Sequence, residues 1–153
     1  MLEDIFGKYE NFEYRERKPL NKLVEGVGIN DAPFIVQPTI NMVRIKHPAY
    51  RTWQHMLERC YNLKIKEKYP TYIDAICCDE WLLFTNFAKW FRDNYNIGWQ
   101  LDKDILIKEN KVYSPETCIL VPREINTFMT LSGASRGAFP IGVSLKKIVS
   151  CHR

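Results

Sequence analysis

Asp102 and Asp104 stand two apart in Leu101-Asp102-Lys103-Asp104-Ile105-Leu106-Ile107, a run that reads as a strand. Side chains alternate along a strand, so both carboxylates fall on one face. Such a pair can add oxygen ligands to a site for a hard divalent cation, or it can ion-pair with Lys103 and pin a hairpin at the surface. Both chemistries stay open at this level. The histidines are His47, His55 and His152, none of them in this stretch. His55, on an earlier predicted helix, can approach the carboxylates in space and act as a base, although a solvated histidine is the plainer reading.

Other chemistry-bearing types are scattered. Arg51 and Arg59 share the helix of His55 and are either phosphate grips or ordinary surface charge. The five cysteines, Cys60, Cys77, Cys78, Cys118 and Cys151, are odd in number and contain no C-x-x-C pair. That argues against a disulfide framework and a standard zinc knuckle. Cys60, Cys78 and Cys118 sit beside core-like residues, where a thiol is most often a small buried hydrophobe, with three thiols converging on zinc as the alternative. Val24-Glu25-Gly26-Val27-Gly28 has the look of a phosphate loop but lacks its third glycine, so it reads as a turn.

These residues need elements to hold them. Phe34–Gln37 and Asn41–Ile45 are expected as short strands. Pro48 opens a helix whose apolar face is Tyr50, Trp53, Met56, Leu57 and Cys60, spaced by three and four. Lys64–Lys68 reads as a basic connector and Thr71–Cys78 as a strand. Asp79 is expected to N-cap a helix over about 80–95 that buries Trp81, Phe84, Phe87, Phe91 and Tyr95. The stretch from Leu101 to Asn126 then reads as strand, charged turn, loop, the short apolar run Cys118–Val121, and a helix from Pro122. Leu131–Gly137 is a linker by composition, and Phe139–Lys147 reads as the start of a strand.

The chain of 153 residues is 46% hydrophobic and 13% aromatic, enough for one domain with a real core. No apolar run is long enough to span a membrane, and no secretory signal is visible, so a cytoplasmic protein is expected. Net charge is +4, and Arg136, Lys146, Lys147 and Arg153 supply the whole excess, with no acid after Glu124. A basic end without acids is a phosphate-contacting arm or a solvated terminus.

Several of these segments together resemble phage-encoded HNH endonuclease-like proteins. The matching segments are Tyr50-Arg51-Thr52-Trp53, Arg59-Cys60-Tyr61-Asn62, Cys78-Asp79-Glu80-Trp81 and Asn86-Phe87. Leu101-Asp102-Lys103-Asp104 and Asn110–Cys118 resemble that family's central signature, and Gly26–Ala32 is typical of it. Longer members continue into a DNA-binding module like that of plant ethylene-response factors, and Arg136–Ser144 looks like its first strand. The pattern is lost soon after Lys147, which implies an absent or truncated module.

The resemblance implies an α+β fold with an HNH-like ββα unit packed on two amphipathic helices and short strands. It divides the chain into an N-terminal arm (1–25), the HNH-like domain (26–131), and a linker with a basic strand or tail (132–153). It assigns Asp102 as first-strand metal ligand and Asn126 as helix ligand, with Asp104 an added one. An oxygen-rich set suits Mg2+ or Mn2+ better than zinc. Lys103 falls where the histidine base belongs and Thr117 where a loop asparagine would orient it, so both catalytic roles are changed. An ammonium flanked by Asp102 and Asp104 is a poor base near neutral pH. DNA is the expected partner, held by Arg51, Arg59, Lys103, Arg123, Arg136, Lys146 and Lys147. A catalytically inactive relative that blocks a host protein is the alternative.

Overall fold

The structure, a computed structural model, describes residues 6–7 and 23–135. In chain order the elements are β1 (Thr39–Ile40), β2 (Val43–Arg44), α1 (Pro48–Tyr61), α2 (Leu63–Lys68), β3 (Ile76–Cys77), α3 (Phe84–Asn94), β4 (Gln100–Asp102), β5 (Val112–Tyr113), β6 (Ile119–Val121) and α4 (Arg123–Ser135). Tight 3-10 turns occupy Pro70–Tyr72 and Asp79–Leu82. The α+β class is borne out. Strands β1 and β2 pair antiparallel, β3 and β5 parallel, and β4 and β6 antiparallel, with Asp102 opposite Ile119 and Gln100 opposite Val121.

The core forms where the helical periodicities place it. Tyr50, Trp53, Met56, Leu57 and Cys60 are the buried face of α1, and Phe84, Phe87 and Phe91 that of α3. The two faces meet, with the Trp53 and Phe84 rings 5.5 Å apart and Trp81 edge-on to Phe87 at 5.0 Å. Burying each such side chain contributes roughly 1.5–3 kcal/mol before the entropy of ordering it is counted. The Trp53 indole N–H donates to the Trp81 carbonyl at 2.6 Å, tying α1 to the turn before α3. The 24–28 segment is a turn, as expected, closed by Val24 and Gly28 exchanging backbone hydrogen bonds at 2.8 Å. Gly28 lies so close to α1 that a Cβ there would come within 2.3 Å of a Leu57 methyl carbon and 2.9 Å of the Trp53 ring.

Local chemistry overrides several expectations. Phe34–Gln37 is a series of bends instead of a strand, its Val36 carbonyl accepting from the His47 N–H at 2.8 Å, with no strand pairing it among the described residues. Lys64–Lys68 is helical: the Asn62 side-chain oxygen accepts the N–H groups of Lys64 and Ile65, an N-cap that starts α2. The strand expected over Thr71–Cys78 shrinks to β3. Pro70 opens a 3-10 turn, and Lys66 Nζ takes the carbonyls of Ile73 and Ala75 at 2.8 and 3.3 Å. Asp79 does not cap α3. It lies in a 3-10 turn, and Asp31 caps the helix from far along the chain, accepting from the Thr85 N–H at 2.8 Å and from the Thr85 hydroxyl. Helix α4 runs through Ser135, into the residues expected as linker.

Phe6, from the expected N-terminal arm, takes a place in the core, stacked on His47 with ring centroids 5.4 Å apart. Arg136, Lys146, Lys147, Cys151, His152 and the expected strand over 139–147 lie outside the described residues. Among the described residues, no helix is long and apolar enough to cross a membrane.

Candidate functional site

The strand expected over 101–107 stops at Asp102, because that carboxylate turns the chain. Asp102 Oδ1 accepts the N–H groups of Asp104 and Ile105 at 2.7 and 2.8 Å, an Asx-type turn that ends β4. Lys103 then folds inward and is only 5% exposed. Its ammonium sits 2.6 Å from Asp104 Oδ1 and 2.6 Å from the Asn110 carbonyl. Asn110 answers by donating to the Lys103 carbonyl at 3.0 Å and to the Val112 carbonyl at 2.6 Å. Lys103 and Asn110 thus clip the 103–110 loop shut.

Thr117 does comparable work in the next loop. Its hydroxyl donates to the Val112 carbonyl at 2.7 Å and accepts the Ser114 N–H at 3.2 Å. Asn126, at the start of α4, donates to Gln100 Oε1 at 2.9 Å, a bond across from helix to β4. Of the three residues assigned to a metal, Asp102 and Asp104 share one turn, and Asn126 bonds Gln100 through its amide N–H. Asp102 is held by two backbone N–H groups, Asp104 by the Lys103 ammonium, and Asn126 by Gln100. Among the described residues, no group of three or more His, Cys, Asp or Glu side chains is placed to hold a metal ion. Burial pushes the Cys60 and Cys118 thiols up to about 12, and it raises Cys77 and Cys78 as well, so these thiols are protonated packing groups.

The residues that do come together are others from the sequence reading. Arg51, His55 and Arg59 recur every four residues and form one ridge of α1. With Thr52 and Pro48 they make one wall of an open cleft of about 360 Å³. Trp99, Gln100 and Leu101 from β4 and its approach, with Asn126 from α4, make the other. No carboxylate stands among the described residues lining this cleft. Arg51 and His55 are exposed and Arg59 is half-buried. Lys46 reaches the same neighbourhood, held by Gln54 at 2.8 Å, and its charge acts on His55. The His55 imidazole is shifted below its usual range, first by burial and then by Arg59, Lys46 and Arg51, with Glu58 opposing. Lys103 and Thr117 do not line the cleft, and Arg123 stands exposed one turn before Asn126.

Lys46, Trp99 and Gln100 were missed in the sequence. The signal for the ridge was present, since the 51–55–59 spacing on a helix puts three side chains in a row. Nothing in the sequence showed that β4 would face that row. The fold and cleft thus describe an α+β protein with a polar, cation-lined groove between a helix ridge and a strand–loop–strand–helix unit. Compared with protein-family models, curated proteins and solved structures, the chain has no match.

Proposed function

We propose that this chain binds nucleic acid through its phosphates, on an HNH-like frame that holds the strand without cutting it. The observation that carries the reading is the Arg51–His55–Arg59 ridge facing Gln100 and Asn126 across a cleft whose described lining contains no acid. The exposed Arg51 guanidinium offers a forked donor that matches phosphate oxygens, Arg59, which also donates to the Tyr113 side chain and faces the Tyr72 ring, adds a second positive charge, and Asn126 and Gln100 offer further polar contacts. Binding without cleavage is supported by the employment of the groups that resemblance assigns to catalysis. Lys103 is an ion-paired loop clip, Asp102 accepts the backbone N–H groups of its own turn, and the Asn126 amide donates to Gln100.

The test is fluorescence anisotropy with labelled DNA over a salt series. Each phosphate neutralised on a duplex adds about 0.9 to the slope of log affinity against log salt. Two arginine contacts therefore predict about a tenfold loss of affinity for a fourfold rise in salt. Arg51→Ala, at an exposed position, is expected to lower that slope by about one contact's worth. An absent shift at low salt, or one indifferent to salt and to Arg51, would sink the reading. In parallel, supercoiled plasmid with Mg2+ or Mn2+ is expected to stay intact. Nicking that disappears in Asp102→Ala would restore the nuclease interpretation.

A further inference from the structure

Behind the ridge lies a second cavity, of about 280 Å³, lined by His55, Glu58, Arg59, Ile65, Tyr69 and Tyr72. It shares His55 and Arg59 with the basic cleft, so the same two side chains form the partition between them. Its walls differ in kind. The Tyr69 and Tyr72 rings stand 6.3 Å apart at 69°, and the Arg59 guanidinium lies 5.6 Å from the Tyr72 ring centroid. Lys68 Nζ sits 5.2 Å from the Tyr69 ring centroid. Tyr69 is 46% exposed, which leaves ring surface open to a ligand.

The charges assign the contents of each cavity. The cleft has cations and no carboxylate in its described lining, which suits a phosphate. The second cavity contains the Glu58 carboxylate, which repels a phosphate but tolerates a neutral group bearing N–H donors. A flat neutral ring carrying N–H groups, attached to a phosphate one partition away, is a nucleotide. Aromatic rings and an arginine plane are the surfaces on which unpaired bases stack. A protein segment could also fill an aromatic cavity, but it would not explain why Arg59 lines both that cavity and the acid-free cleft beside it.

We infer that the Tyr69–Tyr72 cavity receives an unstacked nucleobase while the Arg51–Arg59 ridge holds its phosphates, so that the preferred ligand is single-stranded nucleic acid. This inference rests on the phosphate-binding reading above. Bases in a duplex are stacked and paired, and entry into the cavity would require opening the helix, which disfavours intact duplex.

The experiment compares three labelled probes by anisotropy: a short single strand, the same strand made abasic, and its duplex. Wild-type protein is expected to bind the base-bearing strand most tightly. Tyr69→Ala is expected to weaken that binding about 5- to 100-fold and to leave the abasic strand, the duplex and the salt slope unchanged. Tyr69→Phe, which keeps the ring, restores affinity. Arg51→Ala weakens all three probes and lowers the single-strand slope by about 0.7. If wild type binds abasic and base-bearing strands equally, or Tyr69→Ala costs both the same, the base pocket is refuted. Should Arg51→Ala still act in that case, phosphate binding survives. Failure of every probe to bind at low salt refutes both.

Discussion

Acidification from pH 7.5 to pH 5 is expected to destabilise this fold by about 2 kcal/mol through His47 alone. His47 is 2% exposed, with Phe6, Phe34 and Phe84 within 6.2 Å between ring centroids. Its Nδ1 accepts the Ala49 N–H at 3.2 Å, which needs an unprotonated nitrogen and caps α1. Burial lowers its pKa from 6.5 to about 4. The unfolded chain therefore binds a proton below pH 6.5 that the folded chain refuses until about pH 4. Stability from this group is fully present above the unfolded value and is lost as pH falls through the interval. The whole interval is worth about 3 kcal/mol, most of it lost by pH 5. The assay is urea unfolding at several pH values, comparing wild type with His47→Asn, which keeps a capping acceptor and removes the titration. The smaller amide side chain leaves unfilled space and is expected to lower stability at pH 7.5, yet stability of the variant should fall less below pH 6.5. Carboxylates and the other histidines titrate alike in both proteins and cancel in the difference. Parallel pH profiles for the two proteins would refute the reasoning.

Three further outcomes follow from the same structure. Burial and the neighbouring cations lower the His55 pKa from 6.5, so its positive charge is gained only on acidification, and nucleic-acid affinity is expected to rise as pH falls below 6.5; His55→Ala should flatten this rise in an anisotropy series. Gly28→Ala forces a Cβ into Leu57 and Trp53, and overpacking of this kind costs about 1–3 kcal/mol, readable as a lower urea midpoint. Lys103→Ala removes a charge-assisted bond to the Asn110 carbonyl and is expected to cost about 1.5–3 kcal/mol. That variant should leave nucleic-acid affinity nearly unchanged, since Lys103 is turned into its own loop; a large affinity loss with stability intact would place it at the interface instead.

What the sequence determined by itself was whatever depends on periodicity along one segment. The apolar spacing from Tyr50 to Cys60 and the aromatic stripe from Phe84 to Phe91 specified two helices and the face each would bury, because burial of those rings is the largest local driving force, whereas Trp81, expected in the second helix, lies in the 3-10 turn before it. The four-residue spacing of Arg51, His55 and Arg59 was equally legible as a row. Tertiary structure decided everything that depends on which segments meet. Asp31, not Asp79, caps α3, because the 24–31 turn packs on α1 through Gly28 and brings its carboxylate to Thr85. Lys103 became a clip because Asn110 returned its carbonyl to within 2.6 Å of the ammonium. The ridge became a cleft because Trp99–Leu101 and Asn126 closed over it, and a second cavity because Tyr69 and Tyr72 came up behind Arg59. A side chain's type fixes what it can bond, but only its neighbours in space, often many residues away, fix what it does bond. The Leu101–Asn126 stretch shows the difference: its residue types alone did not say that Asp102 would accept the N–H groups of its own turn, Lys103 bond Asp104 and the Asn110 carbonyl, or Asn126 donate to Gln100.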